Sequence, residues 1–406
     1  RTRVTRYAAL GYMARIALHE GTFRKYHEEI SELAGTANSF LEKAVWATDE
    51  IMSSGQFEIT GKGAAAYRDL FTNPDLSKNK EMILFSDYDK DLNRKNNTST
   101  VLNWQWNLSR SLADSYLKSD GTPITEADRT KTFVDMFTDR DPRMAETIMY
   151  PGFINEGDNS TLPTKIVLDY GGLGQIKFLP RTDATYGGWG ENITDPPIIR
   201  YAEILLINAE AKAELGILTQ NDLNATVNLL RSRVEMPEMT INVPIDPALE
   251  ALYPSVSGAL KNVILEIRRE RRVELVFEGF RFDDLMRWKA GKLLEKEPEG
   301  LYFPGLGKYD LTGDGIEDIY LIPSDANIPA EADKETNSLG EKLVYYRTGS
   351  IDDVNATVYL REGTKGNILT IKDMGTFQEP KYYYRPVPKH EMDLNPNLGP
   401  QLFGWE

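Results

Sequence analysis

The sequence predicts a mainly α fold, a tetratricopeptide-like helical-repeat scaffold carrying large loop-rich excursions and short β-strands. Three observations lead there. Two Ala-rich segments, residues 6–23 and 40–57, each end in Gly-x-Phe, and Gly21 and Gly55 are 34 residues apart, which is the tetratricopeptide period. Helical periodicity returns at residues 198–234 and again at 260–294. Between and after these blocks the chain is rich in Gly, Pro, Asn, Asp and aromatic residues, a composition of turns and long loops.

Four regions follow in order: helices over 1–57, a loop-rich region with short strands over 58–197, a helical scaffold over 198–294, and an irregular stretch over 295–406. In the first, small residues let paired helices approach, and Gly21 and Gly55 each end one. His19 is then expected at a helix end, against the C-terminal dipole. In the second, "EMILFS" (81–86), "ETIMYP" (146–151) and "TKIVLDY" (164–170) read as short strands. In the third, Ile204, Leu205, Ala209 and Ala213 keep helical spacing, Gly216 stops that helix, and Asn221 or Asp222 caps the next.

Composition narrows the function classes. The 406 residues are 41% hydrophobic with net charge −15 and no Cys. That is ample for a sizeable core, and an acidic chain is a poor partner for nucleic acid, whose binding needs a positive field. Without Cys there is no disulfide framework, Cys nucleophile or Cys-based zinc site. No apolar run approaches the ~20 residues of a membrane helix. No P-loop, Gly-x-Ser-x-Gly or dinucleotide fingerprint is present, and the three His are scattered.

The most charged stretch is "ERRVELVFEGFRFDDLMRW" (270–288), where four Arg, three Glu and two Asp alternate with large apolar residues. On one continuous helix Glu270, Glu274 and Glu278 share a face. Two readings compete. A carboxylate pair could act on a glycosidic bond. Alternatively, the Arg forks clamp the carboxylates into a structural ion network, and the matching guanidinium groups favour the network because they depress carboxylate pKa values.

This stretch, extended to "ILEIRRERRVELVFEGFRFDDLMRW" (264–288), resembles the signature of the SusD/RagB family of outer-membrane nutrient-binding lipoproteins of Bacteroidetes. Further blocks are similar in the same order: "AALGYMARIAL" (8–18), "NKEMILFSDYD" (79–89), "DSYLKSDGTPI" (114–124), "RDPRMAETIMYPG" (140–152), "PPIIRYAEILLINAEAKAELG" (196–216) and "RPVPKHEMDLNPNLGPQLFGWE" (385–406). The resemblance implies a SusD-like fold and a protein that makes and breaks no bond. It implies capture of oligosaccharide, or in some members peptide, for a SusC-like TonB-dependent transporter at the cell surface. Members begin with a lipoprotein signal, an acylated Cys and a further helical portion. None of these is in this sequence, so the lipid anchor is expected outside it and the chain is expected to be the C-terminal two-thirds of such a protein. Trp288 and Trp405 fall in the similar blocks and Trp46 in the second repeat helix, and all three are expected in the core.

A sugar is gripped by stacking its apolar C–H face on an aromatic ring while polar side chains take the hydroxyls. Residues 86–109 carry Tyr88, Trp104 and Trp106 among polar neighbours, and "RTDATYGGWGEN" (181–192) carries Tyr186 and Trp189 on a Gly-rich loop. These rings are the candidate platform, with Asp87, Asp89, Arg94, Asn103 and Asn107 as candidate hydroxyl partners. The alternative is that the rings anchor long loops to the scaffold.

One loop has cation-like spacing. "DLTGDGIEDIYL" (310–321) places Asp310, Thr312, Asp314, the Ile316 carbonyl and Asp318 at positions one, three, five, seven and nine of an EF-hand-like loop, with Gly315 at six. Leu321 stands where the bidentate Glu belongs. A structural calcium is the one candidate ion, no cofactor is required, and the competing reading is a metal-free Asx/Gly turn.

Overall fold

The computed structural model describes residues 2–98, 101, 107–155, 157, 161–182 and 188–405. Helices of six residues or more and all strands are numbered below in chain order. Helix α1 (Arg6–Tyr26) starts at Thr5, whose side-chain oxygen accepts the Ala8 N–H. Helix α2 (Ala37–Met52) runs back along it, since Arg24 reaches Thr36 and Phe40 while Arg6 pairs with Glu50. Gly21 does not end α1. It lies inside the helix against α2, where an added Cβ would stand 2.8 Å from the Leu41 side chain. Gly55, at φ +63°, follows the end of α2. The 34-residue spacing therefore joins two glycines with different tasks, one for close approach and one for a left-handed backbone. His19 is likewise inside α1, stacked on Phe23. Trp46 departs from expectation too. It is 50% exposed because Ala44, Ala47 and Ile51 form the inward face of α2.

After α3 (Ala64–Thr72), strand β1 (Met82–Phe85) pairs antiparallel with β2 (Pro197–Arg200). β2 leads straight into α4 (Tyr201–Glu214), the central helix, in which every residue except Lys212 is buried. A helix surrounded by protein must partner its polar side chains, and each of these fastens a neighbour. Glu203 takes Arg15, Asn208 donates to Thr48 and Asp49, Glu210 takes Arg287 and the Trp288 indole N–H, and Glu214 takes Lys25 and Arg268.

Helix α5 (Gln220–Ala225) is capped by Thr219, with Asp222 returning the bond at the third position. Neither Asn221 nor Asp222 is the cap residue, because a Thr two or three residues ahead completes a capping box that neither could make alone. α6 (Val227–Arg233) and α7 (Pro247–Leu252) follow. The charged stretch is not one helix. α8 (Lys261–Glu274) ends at Leu275, and α9 (Arg281–Arg287) begins six residues later. Phe277 at φ +63° and Gly279 at φ +86° turn the chain between them, so Glu278 lies beyond the helix face shared by Glu270 and Glu274.

The region after residue 294, expected to be irregular, supplies a six-stranded sheet of order β3-β8-β7-β6-β5-β4. Its strands are β3 (Glu299–Phe303), β4 (Gly307–Tyr309), β5 (Ile319–Pro323), β6 (Val344–Gly349), β7 (Val358–Leu360) and β8 (Gly366–Leu369). β5–β6 and β6–β7 run parallel and the other pairs antiparallel. A short helix, α10 (Lys389–Leu394), lies near the C-terminus. The two other expected strands dissolve. Ile148 makes a single bridge to Gln175, and residues 164–170 form no ladder although Ile166 and Leu168 are buried. They belong to a second core that joins residues 108–173 to the sheet, while the first core is helical and includes Trp288. Trp405 is half-buried, its indole N–H donating to the Lys381 and Tyr384 carbonyls.

At one seam of this second core two backbones nearly touch. The Leu301 N–H donates to Gly171 O, and an added Cβ at Gly300 would stand 2.1 Å from that oxygen. Backbone cannot rotate away as a side chain can. Gly300→Ala is expected to lower stability by about 1–3 kcal/mol or more, read as a lower urea midpoint with unchanged slope.

Candidate functional site

The structure separates a buried charge network from a more open pair of loops. The buried set is one connected network. Arg143 pairs with Asp141, Glu270 and Glu274; Arg200 with Glu81, Glu274 and Glu278; Arg233 with Glu81 and Glu274; Arg231 with Glu270; and Lys177 with Glu278. It therefore joins five cations to five carboxylates, and it ties α8 to α6, to β2 and to the Arg-Asp-Pro-Arg turn. Burial alone would raise the Glu274 carboxyl, but Arg233, Arg200 and Arg143 more than offset this and hold it well below the usual carboxylate range. Glu270 and Glu278 are lowered in the same way, against burial, by Arg143 with Arg231 and by Arg200 with Lys177. Burial pushes Lys177 down to about 8. A glycosidic acid must keep its proton near neutral pH and meet substrate. Glu270 and Glu274 are sealed in, Glu278 is partly exposed at the edge of a cavity lined also by Arg15, Arg271 and Arg287, and all three are lowered and held by two or more cations each.

The exposed set lies on two loops that the fold brings together. The first leaves β1 at Ser86. Asp89 and Arg94 exchange backbone hydrogen bonds of 2.8 and 2.9 Å, and Asp89 Oδ1 accepts the Asp91 and Leu92 N–H groups, which closes a tight turn. Arg94 reaches Asp87 at 3.9 Å, an exposed pair of little energetic weight. Tyr88 is half-buried at the base of this turn. The second loop carries Trp189, 63% exposed. Its turn is closed by the Glu191 N–H donating to Gly188 O, with Gly190 at φ +69° in the third position, as a type II turn requires. Asn96 and Asn192 then pair across the two loops through both backbone bonds, and Lys95 meets Glu191 at 2.6 Å.

Asp87, Tyr88, Asp89 and Arg94 thus share one turn, and the paired loop presents Trp189 beside it. Asn107 is fastened to Gly174 by an antiparallel bridge. Trp104, Trp106, Asn103 and Tyr186 lie outside the described residues. Sequence reasoning passed over Asn96, Asn192 and Asp195, which make the joint. Asn and Asp accept backbone amides in turns, and a run of them on two loops was the available signal.

In the Asp310 loop the carboxylates face the backbone. Asp310 accepts the N–H groups of Thr312, Gly313 and Gly315, Asp314 accepts that of Ile316, and Asp318 accepts those of Leu311 and Thr312. Among the described residues no group of three His, Cys, Asp or Glu is arranged to hold a metal ion. The donor set is that of a self-closed Asx turn. No helix among the described residues is long and apolar enough to cross a membrane.

Comparison with known proteins gives a consistent picture. The model of the SusD family matches residues 77–405. A SusD-like carbohydrate binding protein from Bacteroides fragilis superposes with a TM-score of 0.61 at 22% identity, covering 98% of this chain and 65% of that one. A second SusD-like protein from the same organism gives a TM-score of 0.61 at 21% identity, covering 100% of this chain and 66% of that one. The chain therefore spans about two thirds of the length of these structures. None of the curated proteins matches it.

Proposed function

The chain belongs to the SusD family, and on that premise we propose that it binds oligosaccharide at the cell surface and captures it for a SusC-like TonB-dependent outer-membrane transporter. The observation that carries this reading is Trp189, exposed on a turn braced against the Tyr88 loop. An exposed indole on a Gly-rich turn offers its face as a stacking platform for a neutral sugar. One of the similar solved structures is itself named as carbohydrate binding, which supports the same reading. The tetratricopeptide-like organisation of the helices, the four-region division at residues 57, 197 and 294, and anchoring to the outer membrane through a lipid belong to the same proposal.

Affinity electrophoresis through soluble starch, xylan, galactomannan and arabinogalactan tests it. Retardation by one of them is expected. No retardation by any of them, with capture of peptides instead, would favour a peptide-binding member of the family. A carboxylate-pair hydrolase is the remaining alternative. Incubation with the retarding glycan is expected to release no reducing ends, and steady release would establish hydrolysis.

For the Asp310 loop we propose the metal-free turn, because its carboxylates already accept backbone amides. A calcium ion held at a hundredfold excess over its Kd would add about 2.7 kcal/mol. The expected outcome is the same Tm in calcium and in chelator, measured by thermal unfolding.

A further inference from the structure

One buried carboxylate stands apart from the charge network. Asp195 is fully buried, and among the described residues no Lys or Arg pairs with it. Its own N–H donates to Asn73 O at 3.0 Å. Its Oδ1 accepts the Tyr88 N–H at 2.8 Å, and its Oδ2 accepts the Leu76 N–H at 3.0 Å. One residue thus joins the segment before β1, the first turn after β1, and the end of the Trp189 loop. Thr194 beside it accepts the Asn96 side chain, and the Ser86 N–H donates to Pro196 O on its other side. The charged neighbours of Asp195 are Asp87 and Asp75. On the paired loops Arg94 and Lys95 are engaged with Asp87 and Glu191.

A carboxylate buried without a cation is costly. Among the described residues the cost is met by two backbone amides: that of Tyr88 ties the first loop of the candidate ligand face to the end of the second, and that of Leu76 ties the same end to the segment before β1. We propose that Asp195 is the positioning residue of this face, its buried carboxylate fixing Tyr88 and the Trp189 loop in the geometry that receives the ligand. The inference rests on the glycan-binding reading above and names how that site is held.

A pH signature follows. Burial raises the Asp195 carboxyl to about 6, with Asp87 and Asp75 adding to it against the Tyr88 and Leu76 amides. An acid whose folded pKa lies above its unfolded value penalises the fold when charged. That penalty is present above about pH 6 and fades as pH falls toward 3.8. Acidification from pH 7 to 5 therefore does not unfold the protein through Asp195. It does replace charge-assisted acceptors, roughly twice as strong as neutral ones, with a carboxyl that can satisfy the two amides only weakly. Binding should weaken in acid while Tm does not fall with it through this group.

The test uses the glycan of the electrophoresis panel that retards the wild type most, with Asp195→Asn, Asp195→Ala and Trp189→Ala. Asp195→Ala should lose affinity roughly tenfold or more while its far-UV spectrum stays native. Amide exchange should rise in peptides covering 86–98 and 188–194. In Asp195→Asn the slope of affinity between pH 5 and 7 should flatten. Loss of binding in Trp189→Ala, with unchanged affinity, pH slope and exchange in both Asp195 variants, overturns the positioning role and leaves the glycan reading intact. Unchanged binding in Trp189→Ala overturns the ligand face, and absence of retardation by every glycan overturns the reading on which both rest.

Discussion

Glu274→Ala should lower the stability of this protein by about 3–5 kcal/mol, the usual cost of removing one partner from a buried ion pair. Glu274 is fully buried and takes Arg143, Arg200 and Arg233 at once. Without it five cations face four carboxylates in a space water does not reach. Arg200 and Arg143 keep other acids, but Arg233 keeps only Glu81. Glu50→Ala makes the contrast, since Glu50 pairs with an exposed Arg6 and such pairs are worth ~0–1 kcal/mol. Urea denaturation of the two variants beside the wild type reads both values. The pH dependence has a definite sign. Glu274, Glu270 and Glu278 are held below their ordinary 4.5 in the fold. Their contribution is present in full above that value and is lost as pH falls through the folded values. The acid limb of the wild-type stability curve should be steep, and that of Glu274→Ala shallower. Equal acid limbs would mean that the network does not set acid stability.

The network was legible in the sequence because its logic is compositional. Five acids packed among Val, Leu and Phe over 270–288 cannot all be solvated and call for Arg forks, but the four Arg of the stretch supply none of the five network cations, Arg271 and Arg287 pairing with Asp284 and Glu210 instead. What the stretch could not disclose was its partners, Arg143, Arg200, Arg231 and Arg233, which arrive from three other elements. Nor did its helical spacing reveal the break at Phe277, since local apolar periodicity continues through it and only the backbone angle there differs. Gly21 and Gly55 show a related limit. The same residue type in the same register serves helix contact once and chain reversal once, and only the neighbour, Leu41, decides which.

The C-terminal sheet was hidden for another reason. β4 and β7 are three residues long, and β6 pairs parallel with both β5 and β7. Parallel partners need long connections, so no hairpin signal marks them. Conversely, "TKIVLDY" has the apolar content of a strand, yet Ile166 and Leu168 are buried as loop side chains beneath the sheet. Burial is what such a run reports, and burial alone does not specify a ladder. The two paired loops were legible as separate aromatic, Asn-rich stretches. Their pairing through Asn96 and Asn192 is a long-range contact that neither stretch contains.

Trp189→Ala is the variant expected to remove the function while leaving the fold. Truncating an aromatic anchor at the centre of an interface costs about 2 kcal/mol or more, close to thirtyfold in Kd, and the glycan that retards the wild type should barely retard this variant. The ring is 63% exposed, so its loss should change stability by no more than about 0.5 kcal/mol. Exposure alone does not single it out, because Trp46 is 50% exposed. The difference is in setting. Trp46 stands on the outer face of a regular helix between Glu42, Lys43 and Glu50. Trp189 stands on a closed turn braced by a second loop through two backbone bonds and the Lys95–Glu191 pair, so little ordering remains to be done when ligand arrives. Trp46→Ala should therefore bind as the wild type does. Equal losses in the two variants would show that exposed indoles adsorb glycan wherever they lie. An unaltered Trp189→Ala would move the platform away from the paired loops, because a stacking ring cannot be removed from a working platform without consequence.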